Sequence, residues 1–303
     1  MYCPLEKINT QLQACPVHNC LYNRQGNCRF EGLTNSESAF FEDELEGKDE
    51  LVLQGTKRIK AFIYADAFIS YVLDGTNALT ARKKQLIQSR VVMTEKLYHW
   101  LQQKSIFPKC IISGSAIGYY GIDPQENWTA ICDENTQPQA IFMSELCQAW
   151  EQTALKFAQQ NTKIIRLAVV FGEGGILPQM LLPIRLNMIA KIGSGKQPVV
   201  WIHIQDVLRA IIFLLQLDSH QKVYNLVAPE QINQQAFTDV AARVLKRKPF
   251  ITMPKCVFEL ALGEQSQLIL NGQYVIPQAL CSHGFKFQYP NLEQALTGIL
   301  LGH

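Results

Sequence analysis

The run KIIRLAVVFG (163–172) constrains this chain more than any other segment. It is nearly all apolar, too short to span a bilayer and rich in β-branched residues, so it reads as a strand buried on both faces. Around it, strand-like and helix-like patterns alternate. KCIISGS (109–115) is a short apolar strand running into small residues, and 140–160 (AIFMSELCQAWEQTALKFAQQ) reads as an amphipathic helix. Upstream, Ile87, Val91, Thr94, Tyr98 and Leu101 recur at steps of three and four, which predicts one long helix over 80–104. Downstream, the same spacing predicts a helix at 205–217 (Val207, Ala210, Ile211, Leu214, Leu215) and another at 234–246 (Phe237, Val240, Ala241, Val244, Leu245), the second with Asn233 as N-cap. KVYNLVA (222–228) between them reads as a strand, as do LVLQ (51–54) and RIKAFIYA (58–65) before the first helix. Strands alternating with helical crossovers give parallel pairing, hence an α/β sheet with helices on both faces.

The chain has 303 residues, 48% of them hydrophobic, enough for one large core or two smaller ones. With 28 basic against 26 acidic residues the formal charge is +2, too small a field to draw in nucleic acid or an anionic membrane. The opening MYCPLEKINTQLQAC lacks the basic start and apolar centre of a signal peptide, and no apolar run is long enough to cross a bilayer. Cytoplasmic location without membrane insertion is the expectation.

Several segments carry a family resemblance: SGSAIGYYG (113–121), RLAVVFGEGGILPQM (166–180), WIHIQDVLRAIIFLL (201–215), YNLVAPEQINQQAF (224–237) and the C-terminal stretch 262–296. Together, in this order, they resemble the atypical short-chain dehydrogenase/reductase group of NAD(P)-dependent sugar-nucleotide-epimerase-like proteins, over about residues 60–301. The resemblance implies a Rossmann-type parallel sheet followed by a small C-terminal lobe on the substrate side.

Against that family the chain shows two departures. A Rossmann fold holds a diphosphate where closely spaced glycines end the first strand. Before residue 60 there are only Gly26, Gly32, Gly47 and Gly55, none at that spacing, and YADAF (64–68) has no glycine either. The resemblance also implies a serine that positions the substrate oxygen and a tyrosine–lysine pair that moves the proton. Ser115 matches the serine, whereas the tyrosine and lysine positions fall on Phe142 or Met143 and on Leu146 or Cys147. In an active protein, Ser115, Tyr119 and His203 would carry catalysis, with Tyr120 as a further acid. His203 has a competing reading as a hydrogen-bonded structural residue ahead of a helix. FGEGG (171–175) and IGSGK (192–196), with Lys196, offer glycines to a phosphate but read more simply as turns.

Nine cysteines divide unevenly. Cys110, Cys132, Cys147, Cys256 and Cys281 read as small buried hydrophobes. Cys3, Cys15, Cys20 and Cys28, spaced C-x11-C-x4-C-x7-C with His18 as a substitute ligand, read as a structural zinc site, or an iron–sulfur site on the same thiolates. The expected organisation is therefore a cysteine-rich module with an acidic linker at 1–50 and an epimerase-like domain at 51–303, its Rossmann-type sheet incomplete or modified. The expected function is an inactive pseudoenzyme, a scaffold or adaptor that binds zinc, does not bind NAD(P), and has other protein subunits as partners. A divergent NAD(P)-dependent oxidoreductase or sugar-nucleotide epimerase is the alternative.

Overall fold

The computed structural model describes residues 79–255 and 271–301, together with 23–24 and 27–28. The strands expected at 51–54 and 58–65, the acidic linker, Cys3, Cys15, Cys20, His18 and Cys256 lie outside the described residues.

Strands β1 (Asn23–Arg24) and β2 (Asn27–Cys28) pair antiparallel. The long helix forms as α1 (Leu79–Ile87), a wide π-turn at Gln88–Val92 and α2 (Met93–Gln103). Then follow β3 (Ile111–Ala116), a 3₁₀ turn at Ile117–Tyr120, β4 (Ile131–Cys132), α3 (Phe142–Leu155), β5 (Thr162–Leu167) and β6 (Val169–Phe171). Next come α4 (Leu177–Arg185), β7 (Ile189–Ile192), β8 (Pro198–Val199), β9 (Trp201–His203), α5 (Ile204–Gln216) and β10 (Val223–Leu226). The chain continues through β11 (Ile232–Asn233), α6 (Gln234–Leu245), β12 (Ile251–Met253), β13 (Tyr274–Val275), α7 (Gln278–Ser282) and α8 (Leu292–Leu301).

The central described sheet runs β10-β5-β3, all parallel, as the alternation requires. Every residue of β5 is buried, matching a strand covered on both faces. The predicted single strand 163–172 divides at Ala168: β5 stays in this sheet, while β6 leaves it to pair in parallel with β9. The same apolar run thus serves two sheets, which a hydrophobicity pattern cannot distinguish from one long strand.

Two buried apolar clusters follow from that division. One gathers Ile112, Ile165, Leu226 and the inward face of α5 around the parallel sheet. The other packs Phe171, Leu177, Trp201, Phe237 and Leu292, drawn from β6, α4, β9, α6 and α8. Phe171 and Trp201 stack at 5.4 Å across the β6–β9 pair. Asn233 caps α6 as expected, its Oδ1 accepting from Ala236 N at 2.8 Å. Cys110, Cys132 and Cys147 are buried as expected; Cys281, on the short helix α7, is exposed, a correction to the buried reading. Among the described residues no helix is long and apolar enough to cross a membrane.

Candidate active site

Register places the polar residues of the sheet in one row. Across the parallel ladder Ser115 stands opposite Arg166, and Arg166 opposite Asn225. Directly opposed residues on adjacent strands point to the same face. All three are buried, close to the carboxyl ends of their strands, where α/β sheets present their ligand crevices.

Helix α3 covers this row and lowers one charge onto it. Its apolar stripe, Met143, Cys147, Trp150 and Ala154, is interrupted by Glu151, which is 5% exposed. Glu151 Oε1 accepts from Ser115 Oγ at 2.6 Å and from Arg166 Nε at 2.8 Å, and Oε2 accepts from Arg166 Nη2 at 2.8 Å. A buried guanidinium is tolerated only with its charge met, and the two-pronged pairing with Glu151 supplies that. Burial alone would lower the Arg166 pKa, but the hydrogen bonds and charge of Glu151, helped by Tyr120, raise it above the usual arginine value.

The 3₁₀ turn after β3 completes the network. Tyr120 OH accepts from Arg166 Nη1 at 2.9 Å and donates to Asn225 Oδ1 at 2.7 Å. Burial pushes its pKa well up despite Arg166 nearby, so Tyr120 holds its proton. The neighbouring Tyr119 is only partly buried, and the Arg166 guanidinium carbon sits 3.4 Å from its ring centroid, a close cation–π contact. Ser144, one turn into α3, donates to Gly118 O at 3.1 Å and anchors the turn. Gly121 ends it at φ +80°, where the Gln139 side chain lies so close to Cα that no Cβ fits. Cys147 lies at the buried α3 face near Ser115, its thiol pushed up to about 12 by desolvation and then by the Glu151 charge, and so stays protonated.

Ser115 and Tyr119 are therefore brought to one place, and His203 is used elsewhere. His203 ends β9 and caps α5: Nδ1 accepts from Gln205 N at 3.1 Å, and the ring stacks on Tyr289 at 3.7 Å. Burial lowers its pKa, partly opposed by the Asp206 charge. The IGSGK segment is a turn after β7, with Gly193 and Gly195 at positive φ and Gly195 O accepting from Gln235 N at 2.9 Å. Glu151 and Arg166 are the residues that pattern reading passed over. The signal was present: one acid on the apolar stripe of a helix and one base inside an apolar strand, each costly to bury alone.

A parallel sheet whose strand ends carry a serine, a tyrosine-bearing turn and a buried ionic network defines an enzyme-like Rossmann crevice. The profile of the NAD dependent epimerase/dehydratase family matches residues 45–226, and that of a domain of unknown function, DUF1731, matches 253–299. The chain belongs to the NAD dependent epimerase/dehydratase family. An epimerase family protein of Staphylococcus saprophyticus is 34% identical over 221 residues, covering 72% of this chain and 73% of that protein. Among solved structures, the human epimerase family protein SDR39U1 with NADPH is similar at TM-score 0.72 and 28% identity, covering 80% of this chain and 81% of that one. UDP-glucose 4-epimerase from Thermotoga maritima, with UDP-glucose, shares the fold at TM-score 0.63 and 14% identity, over 84% and 80% of the two chains.

These findings overturn the expected cofactor assignment of zinc without NAD(P). The family is one described as NAD dependent, and the human relative was solved with NADPH. Among the described residues no group of His, Cys, Asp and Glu is arranged to hold a metal ion. The physical error lay in treating the glycine-rich turn as the whole dinucleotide site. A Rossmann crevice is also built from the carboxyl ends of the later parallel strands, and β3 keeps that part as Ser113-Gly114-Ser115-Ala116 beside Leu167 of β5.

Proposed function

We propose that this protein is a divergent NAD(P)-dependent oxidoreductase or epimerase acting on a hydroxylated substrate of the nucleotide-sugar type. The observation that carries the reading is the buried Ser115–Glu151–Arg166–Tyr120–Asn225 network at the carboxyl ends of β3, β5 and β10. A buried ion pair is poor value as a stabiliser compared with apolar packing, so its presence behind a strand-end serine favours a working site over a retired one.

In this reading the small side chains of 113–116 leave room for the nicotinamide side of the dinucleotide, whose part when bound is to accept or donate hydride. Ser115 binds the substrate oxygen, Tyr119 is the proton-carrying group at the mouth, and Arg166 and Glu151 hold both in place. His203 has a capping role. The epimerase-like domain is taken to span 51–303, with 1–50 as a separate N-terminal segment, and the small substrate-side lobe to lie in its C-terminal part. The scaffold reading has no comparable observation behind it. Isothermal titration of the full-length chain with NADPH and NADH tests the proposal: micromolar binding of either is expected, and absence of binding to both rejects it.

A further inference from the structure

We propose that Glu151 is a positioning residue which, acting through Ser115, makes the crevice select a substrate bearing a hydroxyl rather than a carbonyl at the position Ser115 meets. The inference rests on the enzymatic reading above and names the substrate's functional group.

The argument is a count of protons. Glu151 receives three donors on its two oxygens, two from Arg166 and one from Ser115, which is the pattern of a carboxylate. Ser115 has a single proton, and the 2.6 Å contact commits it to Glu151. What the serine has left to offer is lone pairs. A hydroxyl donates to them, whereas a carbonyl oxygen is itself an acceptor and meets them without a shared proton.

The surrounding groups supply no substitute proton. Arg166 spends Nε and Nη2 on Glu151 and Nη1 on Tyr120. Tyr120 passes its own proton to Asn225 Oδ1, and Asn225 Nδ2 donates to Ile276 O at 3.0 Å. The Asn225 backbone N–H goes to Glu134 Oε1 at 2.9 Å. Each of these donors is turned inward, so the polarity of Ser115 is set by the whole row, and Glu151 is the residue that sets it.

The test uses two matched probes, UDP-glucose and UDP-4-keto-6-deoxyglucose, titrated calorimetrically into the full-length chain. The wild type is expected to bind the hydroxyl sugar more tightly by about tenfold, the worth of one hydrogen bond gained against one frustrated. Ser115→Ala should bring the two affinities to within about twofold, since it removes the lone pairs and leaves the Glu151–Arg166 pair intact. Glu151→Gln should shift the preference toward the keto sugar, because an amide N–H facing Ser115 frees the serine proton, and Glu151→Asp should restore the original order. A merely structural role for Glu151 would weaken both probes alike. If Glu151→Gln does not fold, Ser115→Ala decides alone. Equal binding of the two sugars by the wild type, preference for the keto sugar, a preference that survives Ser115→Ala, or binding of neither sugar overturns the inference. NADPH titrated into the same samples separates the cases: retained binding leaves the enzymatic reading standing, and lost binding removes it as well.

Discussion

Two buried polar clusters in this molecule are built alike and serve different ends. At the sheet, Glu151 and Arg166 share charge and turn a serine and two tyrosines about a strand-end crevice. At the start of α5, Asp206 is fully buried and accepts from the backbone of Gln288 at 2.7 Å and of Tyr289 at 2.8 Å, while His203 caps the helix. The first cluster spends its hydrogen bonds on side chains that face a ligand crevice. The second spends them on main chain, tying a C-terminal segment to a helix. Burial and charge alone do not separate function from architecture; the identity of the groups they satisfy does.

Breaking the first cluster should cost the most. Arg166→Ala or Glu151→Ala leaves the partner charge buried and unpaired, and urea denaturation should register a loss of about 3–5 kcal/mol. A loss below about 1 kcal/mol would mean that water reaches the pair and the cluster is not the closed unit described. The second cluster comes next. Asp206→Asn keeps the shape but removes the charge from two backbone contacts, and about 2 kcal/mol should be lost. NADPH affinity should hold, since Asp206 faces main chain. A clear fall in affinity would erase the distinction between the clusters.

Gly121 gives a smaller effect that belongs to the first cluster. Gly121→Ala meets both a φ of +80° and the Gln139 side chain, and should cost about 1–2 kcal/mol by thermal or urea unfolding. The smallest effect is the pH response of His203. Its folded pKa is lowered, so below the unfolded value of about 6.5 the unfolded chain takes up a proton that the folded chain refuses. Stability from this group is therefore full above that value and declines as pH falls toward the folded pKa. His203→Asn keeps a capping side chain, so comparing urea midpoints of the two proteins between about pH 7.5 and pH 5.5 should show a shallower acid slope in the variant. Equal slopes would assign the acid sensitivity to other groups.

Much of the fold was legible in the sequence because periodicity reports burial directly. The stripe of α5, the Asn233 cap and the strand that became β10 were all visible in residue spacing. The break at Ala168 was not, because β5 and β6 are equally apolar and differ only in their partners. At the site, Ser115 and Tyr119 were legible as a motif, but Glu151 and Arg166 lie 15 residues apart, on a helix and on a strand, and meet only through the register of β3 against β5. His203 attracted a catalytic reading because its residue type titrates near neutrality; the geometry gives it a cap. The missing glycines were read correctly as a sequence feature, yet they carried too much weight, since they speak for one side of a crevice that has two.

The central claim is that the strand ends around Ser115 form a working nicotinamide-side crevice. A crystal structure of the full-length chain grown with NADPH tests it most directly. The account predicts an ordered nicotinamide over the carboxyl ends of β3 and β5, within contact of Ser115 or Tyr119. Dinucleotide ordered away from these strands, or a crevice empty at saturating NADPH, would contradict it.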